Sequence, residues 1–173
     1  ITCSASRIDK ERELTNLNNL EVELFKEAII STEVQDFYGE IYLDACDINE
    51  KRFGDRVSSS LGKDWSQWTI QSKHKMDFDN ILVGAASILA KFHRDKEIEK
   101  IGQVLNLDIG SGYPSDPKTR VAIEELIKGN TPNIHLRWSW ATVENMWLKE
   151  KKKPIPKRSE IERNSVQSSI SDW

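Results

Sequence analysis

The strongest constraint on this chain is the order in which its hydrophobic period changes between Asn16 and Ser72. From Asn16 to Ile30, the residues Leu17, Leu20, Leu24, Phe25, Ala28 and Ile29 recur close to every 3.6 positions with Glu21, Glu23 and Glu27 between them, which predicts an amphipathic helix. Phe37 to Asp44 then holds the apolar run Ile41, Tyr42, Leu43, reached through Gly39, and predicts a buried strand ending at Asp44. Asp47 to Leu61 returns to helical spacing through Phe53, Val57 and Leu61, with Asp47 or Asn49 as cap and Gly62 as stop. Trp68, Ile70 and Ser72 alternate with Thr69 and Gln71, the period of a second strand. Helix, strand, helix, strand, with a helix in each crossover, implies an α/β sheet with helices packed on its faces.

Further along, Gly84 to Asp95 reads G-A-A-S-I-L-A-K-F-H-R-D. In a helix, Ala85, Ile88, Leu89 and Phe92 share one stripe, which is expected to be buried and to carry Asp95 at its end. Ile98, Ile101, Val104 and Leu105 continue the pattern. Asp108 to Arg120, D-I-G-S-G-Y-P-S-D-P-K-T-R, has two glycines and two prolines, which exclude regular structure and predict an ordered loop with special backbone angles. Pro117 fits the first turn of a helix capped by Asp116 that runs to Lys128 and stops at Gly129. Arg137 to Leu148, with Trp138, Trp140 and Trp147, reads as a further helix. From Lys149 the chain is basic and proline-containing, then polar, so a domain over 1–148 is expected to end in a flexible tail over 149–173.

With 173 residues, 38% of them hydrophobic, the chain can bury one substantial core. A net charge of -3 provides no global basic field, so nucleic-acid binding would have to use local Lys and Arg clusters. Cys3 and Cys46 have neither metal-ligand spacing nor a disulfide framework, which points to a reducing, cytoplasmic setting. No apolar run approaches the roughly 18 residues of a membrane span. The N-terminus reads as the middle of a longer sequence.

Asp44 and Asp95 are the candidate chemistry, since packing requires neither. Rigidly held carboxylates can share divalent ions: Mg²⁺ prefers oxygen ligands, and in a two-metal site one ion activates the attacking water while the other stabilises the leaving oxygen. On spacing alone, the commoner reading is that both are caps or surface charges.

A series of strings shifts that weighting: I-Y-L-D-A-C-D-I-N-E-K-R-F, H-K-M-D, A-A-S-I-L-A-K-F-H-R-D, D-I-G-S-G-Y-P-S-D-P-K-T-R and R-W-S-W-A-T-V. In that order they resemble the archaeal branch of type 2 ribonuclease H (ribonuclease HII) across Ser6 to Leu148. L-N-N-L-E at Leu17 to Glu21 resembles that family's segment before its long helix. The resemblance implies a ribonuclease H-like fold, a mixed sheet with helices packed on it, here with a helical C-terminal extension. It also implies hydrolysis of the RNA strand of RNA/DNA hybrids and of single ribonucleotides embedded in DNA. Four carboxylates would hold two Mg²⁺ or Mn²⁺ ions, Asp44 as the third and Asp95 as the fourth, and Tyr113 would contact the ribose at the RNA to DNA junction. An aromatic ring with a hydroxyl, fixed by a Gly/Pro loop, can stack on a sugar and hydrogen-bond to it.

The family's first two carboxylates belong to a D-E-A-G-R-G motif on its first strand, and this sequence holds no such string. The resemblance therefore implies an N-terminally incomplete domain that catalyses weakly or not at all. Lys75, Lys91, Arg94 and Lys118 lie in or beside the motifs and could contact phosphates, although each taken singly reads as a solvated charge. His74 could order a metal or a phosphate; His93 and His135 read as structural. At the terminus, Gln167, Ile170 and Trp173 follow the Q-x-x-h-x-x-aromatic pattern of peptides that bind DNA sliding clamps. One alternative is a non-catalytic remnant that binds nucleic acid or a clamp. Another is a different nuclease of the ribonuclease H-like superfold, which would not be expected to carry G-S-G-Y-P-S-D after its last carboxylate.

Overall fold

The computed structural model describes residues 1–161. In chain order the elements are α1 (Ala5–Leu14), α2 (Leu17–Ile30), β1 (Gly39–Asp44), α3 (Glu50–Leu61), β2 (Trp68–Lys73), α4 (Met76–Asp79), α5 (Ile81–Leu105), α6 (Pro117–Leu126) and α7 (Ala141–Lys151). The described residues form two compact units, Ile1–Thr2 with Asn16–Arg94, and Cys3–Thr15 with 95–161. Two apolar cores form, each from its own elements.

In the first unit, β1 and β2 pair in parallel, with Gly39 opposite Trp68 and Asp44 opposite Lys73. The crossover is α3. Phe53, Val57 and Leu61 fall on one side of it because they stand four apart, and they close the core with Val22, Leu43 and Trp65. Burying a side chain such as Phe53 or Val57 contributes about 1.5–3 kcal/mol. Gly54 lets α3 approach β2, since a Cβ there would stand 2.9 Å from the Cβ of Ser72. Phe25 of α2 meets Phe53 edge-on, with ring centroids 5.3 Å apart. Asn49 caps α3 by accepting the Arg52 amide at 2.8 Å, and Gly62, at a φ of 81°, follows its last residue.

The second unit is built around Ile123, Ile127, Leu136, Trp138, Val143 and Trp147. α6 starts at the Asp116 cap with Pro117 in its first turn, as expected, and ends at Leu126. α7 starts at Ala141 rather than Arg137. Trp138 lies before it and is buried, with its Nε1 donating to the Asn133 carbonyl at 2.9 Å. The segment expected to be a tail from Lys149 stays within this unit as far as it is described: α7 runs to Lys151, Trp147 Nε1 donates to the Pro154 carbonyl at 3.2 Å, and Arg158 is buried. The physical reason is a clasp with α1, a helix that the sequence did not announce. Asp9 of α1 accepts the amides of Trp138 and Ser139 at 2.9 and 3.0 Å and the Arg158 Nε at 3.0 Å. Arg158 also donates to the carbonyls of Ile134 and Leu136 and lies 4.3 Å over the Trp138 ring.

The long helix α5 corrects one expectation. It forms, and over a longer span than the motif, but its apolar stripe is not buried: Ile88 is 69% exposed and Leu89 60%. Periodicity gathers side chains on one face; burial needs a second surface, and the described residues do not provide one. Among the described residues, no helix is long and apolar enough to cross a membrane.

Candidate functional site

In the first unit, functional groups gather beyond the C-terminal ends of the paired strands, where open parallel sheets place their ligands. Asp44 ends β1, half-buried, and its Oδ1 accepts the amide of Met76 at 3.1 Å. The Ala45 amide donates to the Lys73 carbonyl at 3.0 Å, which ties the two strand ends together. Between β2 and α4, Lys75 adopts left-handed backbone angles, φ 58° and ψ 31°, rare for a residue with a side chain. His74 precedes it. Its amide donates to Glu50 Oε1 at 2.6 Å, and its Nε2 lies 2.7 Å from the Asp47 carbonyl. A carbonyl can only accept, so Nε2 carries the proton, and Nδ1 faces the Glu50 carboxylate at 3.3 Å.

Asp47 is buried and receives the Arg52 guanidinium, with Nε to Oδ2 at 3.0 Å and Nη2 on Oδ1. The hydrogen bond from Arg52 holds its carboxyl below the usual range. Cys46, on the loop after Asp44, is at the surface, yet partial burial of its thiol and the charges of Glu21 and Asp44 push it up to about 12, so it stays protonated. Glu21 is raised too, first by burial and further by Asp47.

In the second unit, Asp95 is exposed on α5. Tyr113 is 48% exposed on the predicted loop, which side chains lock from within. Gly110 and Gly112 have φ of 69° and 75°, and a Cβ on Gly110 would stand 2.6 Å from Asp116 Oδ2. Asp116 accepts the amides of Ser111 at 2.7 Å and Lys118 at 2.9 Å, and these backbone hydrogen bonds hold its carboxyl below the usual range. Thr119 Oγ1 accepts the Gly112 amide at 3.0 Å and donates to the Ile109 carbonyl at 2.8 Å.

Of the basic candidates, Lys75 and Lys91 are exposed and Arg94 is half-buried on α5. Lys118 pairs with Asp108 at 2.8 Å, a solvated ion pair within the loop. All three histidines are exposed, and His74 belongs to the Asp44 end of the sheet. Gln167, Ile170 and Trp173 lie outside the described residues. The sequence reading left Glu50 and Arg52 without a role; their only signal was the string I-N-E-K-R that follows Asp47. No three His, Cys, Asp or Glu among the described residues are grouped to hold a metal ion. The donors present therefore do not make a divalent-ion site by themselves.

The family model described as ribonuclease HII matches residues 2–143. The chain is 41% identical over 146 residues to the ribonuclease HII of Methanococcoides burtonii, covering 82% of this chain and 66% of that protein. It is 43% identical over 145 residues to the ribonuclease HII of Thermococcus sibiricus, covering 83% and 61%. Among solved structures it resembles the ribonuclease H2 from Pyrococcus horikoshii OT3, with a TM-score of 0.73 and 31% identity over 88% of this chain and 69% of that one. It also resembles the PCNA:RNase HII complex from Archaeoglobus fulgidus, with a TM-score of 0.67 and 30% identity over 84% and 66%. The chain spans less than two thirds of the length of the curated relatives it matches.

Proposed function

The chain belongs to the ribonuclease HII family, and from that premise we propose that it is part of an endonuclease that hydrolyses the RNA strand of RNA/DNA hybrids and single ribonucleotides embedded in DNA. The observation that carries this reading is Tyr113, half-exposed on a loop held rigid by backbone amides of Ser111 and Gly112 donating to Asp116 and Thr119, inside the matched span. A ring presented in this way can stack on a ribose and donate a hydrogen bond to it. Asp44 in the first unit and Asp95 in the second are the two carboxylates that this reading assigns to catalysis. Lys75, Lys91 and Arg94 offer charge to the backbone, and Lys118 does so in exchange for Asp108.

The resemblance calls for Mg²⁺ or Mn²⁺, which would supply Lewis acidity when bound. The described residues do not complete such a site, so the chain alone is expected to cleave weakly or not at all. Two free cysteines accord with a cytoplasmic setting.

The test uses a duplex with one ribonucleotide, in Mg²⁺, and the chain fused behind a segment bearing D-E-A-G-R-G. Asp95→Asn is expected to lower cleavage by about a hundredfold or more while leaving the unfolding transition in place. Normal cleavage by the Asp95→Asn fusion rejects the assignment of Asp95. A fusion that binds the duplex but never cuts it favours the non-catalytic alternative. We also propose that Gln167, Ile170 and Trp173 bind a DNA sliding clamp, in keeping with the assembly of the Archaeoglobus fulgidus relative with PCNA. Trp173→Ala should abolish retention on an immobilised clamp; unchanged retention would reject it.

A further inference from the structure

Resting on the reading of Asp44 above, we propose that His74 is a positioning residue that sets the Asp44 carboxylate through the turn from Lys73 to Met76. The turn holds a non-glycine residue, Lys75, at φ 58°, a conformation that persists only when both flanks are fixed. On the downstream side, the Met76 amide donates to Asp44 Oδ1 at 3.1 Å, and the amides of Phe78 and Asp79 return to the Lys75 carbonyl at 3.0 and 3.2 Å. On the upstream side the anchor is His74, held by its amide on Glu50 and its Nε2 on the Asp47 carbonyl.

Both partners lie at or just before the start of α3. Glu50 is the first residue of α3, and the Asp47 side chain is buried under Arg52. His74 therefore joins the loop leaving β1 to the loop leaving β2. Without it, Lys75 relaxes toward negative φ, the peptide between Lys75 and Met76 rotates, and the amide leaves the carboxylate. Asp44 then samples other rotamers, and a group needed to within about half an ångström is no longer held. Gln places its amide nitrogen near the position of His Nε2, so His74→Gln retains the donor to Asp47 and His74→Ala removes it.

Amide hydrogen exchange by NMR on the 173-residue chain tests this, with Phe53 and Val57 as reporters of the core. In His74→Ala, the Met76 amide is expected to exchange about tenfold faster while Phe53 and Val57 keep their rates, and His74→Gln is expected to recover most of the difference. Unchanged Met76 exchange in His74→Ala overturns the proposal. So does a rise shared by Met76, Phe53 and Val57 that Gln does not rescue, because that is loss of fold rather than loss of position. The reading of Asp44 fails separately, if Asp44→Asn leaves cleavage by the D-E-A-G-R-G fusion unchanged, and the exchange result stands whichever way that falls.

Discussion

Arg158 and Asp9 show how much a single buried charge can decide. Both side chains are 3% exposed and separated by 149 positions, and both satisfy backbone groups of the segment 134–139: Asp9 accepts the amides of Trp138 and Ser139, and Arg158 donates to the carbonyls of Ile134 and Leu136. Removing one member leaves the other a buried charge without its partner, so Arg158→Ala is expected to cost about 3–5 kcal/mol in urea unfolding. A loss below about 1 kcal/mol would mean that water reaches Asp9. Asp47 gives a pH signature. Its folded pKa lies below the ordinary carboxylate value of 3.8, chiefly because Arg52 donates to it, so its contribution is fully present above that value and is lost as pH falls through the folded pKa. The stability gap between wild type and Arg52→Gln should therefore be widest near neutrality and close in acid; a gap constant down to about pH 2 would contradict this. Neither pair could be read from the sequence. Asp9 and Arg158 look like ordinary surface charges in polar segments, and only the fold brings them together.

At the scale of elements, what was legible followed local rules. α2, β1, α3 and β2 appeared with small shifts of boundary, because their periods and caps are encoded within each segment. The loop from Asp108 was equally legible, since Gly110 and Gly112 occupy the positive φ that only glycine adopts without strain. α1 was not legible, because it is held by the distant Trp138, Ser139 and Arg158 rather than by an apolar face of its own. For α5 the helix was legible and the burial of its stripe was not. Ile88→Gln and Leu89→Gln should accordingly leave stability within about 0.5 kcal/mol, whereas Phe53→Ala should cost about 3–5 kcal/mol. Equal losses by thermal unfolding at the two places would show that the exposed face of α5 is covered in solution.

For the whole molecule, the strings from I-Y-L-D to R-W-S-W identified the family, and the match over residues 2–143 establishes it. Fold class followed with it: two parallel strands with a helical crossover, resembling ribonuclease H2 from Pyrococcus horikoshii at a TM-score of 0.73. Division into two units was not legible, because composition bounds the amount of core and not the number of cores. Among the described residues, no three His, Cys, Asp or Glu are grouped to hold a metal ion, whereas a hard divalent cation takes roughly six or more oxygen ligands. The most direct measurement is therefore cleavage of a single-ribonucleotide duplex in Mg²⁺ by the 173-residue chain, alone and fused behind a segment bearing D-E-A-G-R-G. Weak or undetectable cleavage by the chain alone and robust cleavage by the fusion are expected. Equal, full activity from the chain alone would contradict this.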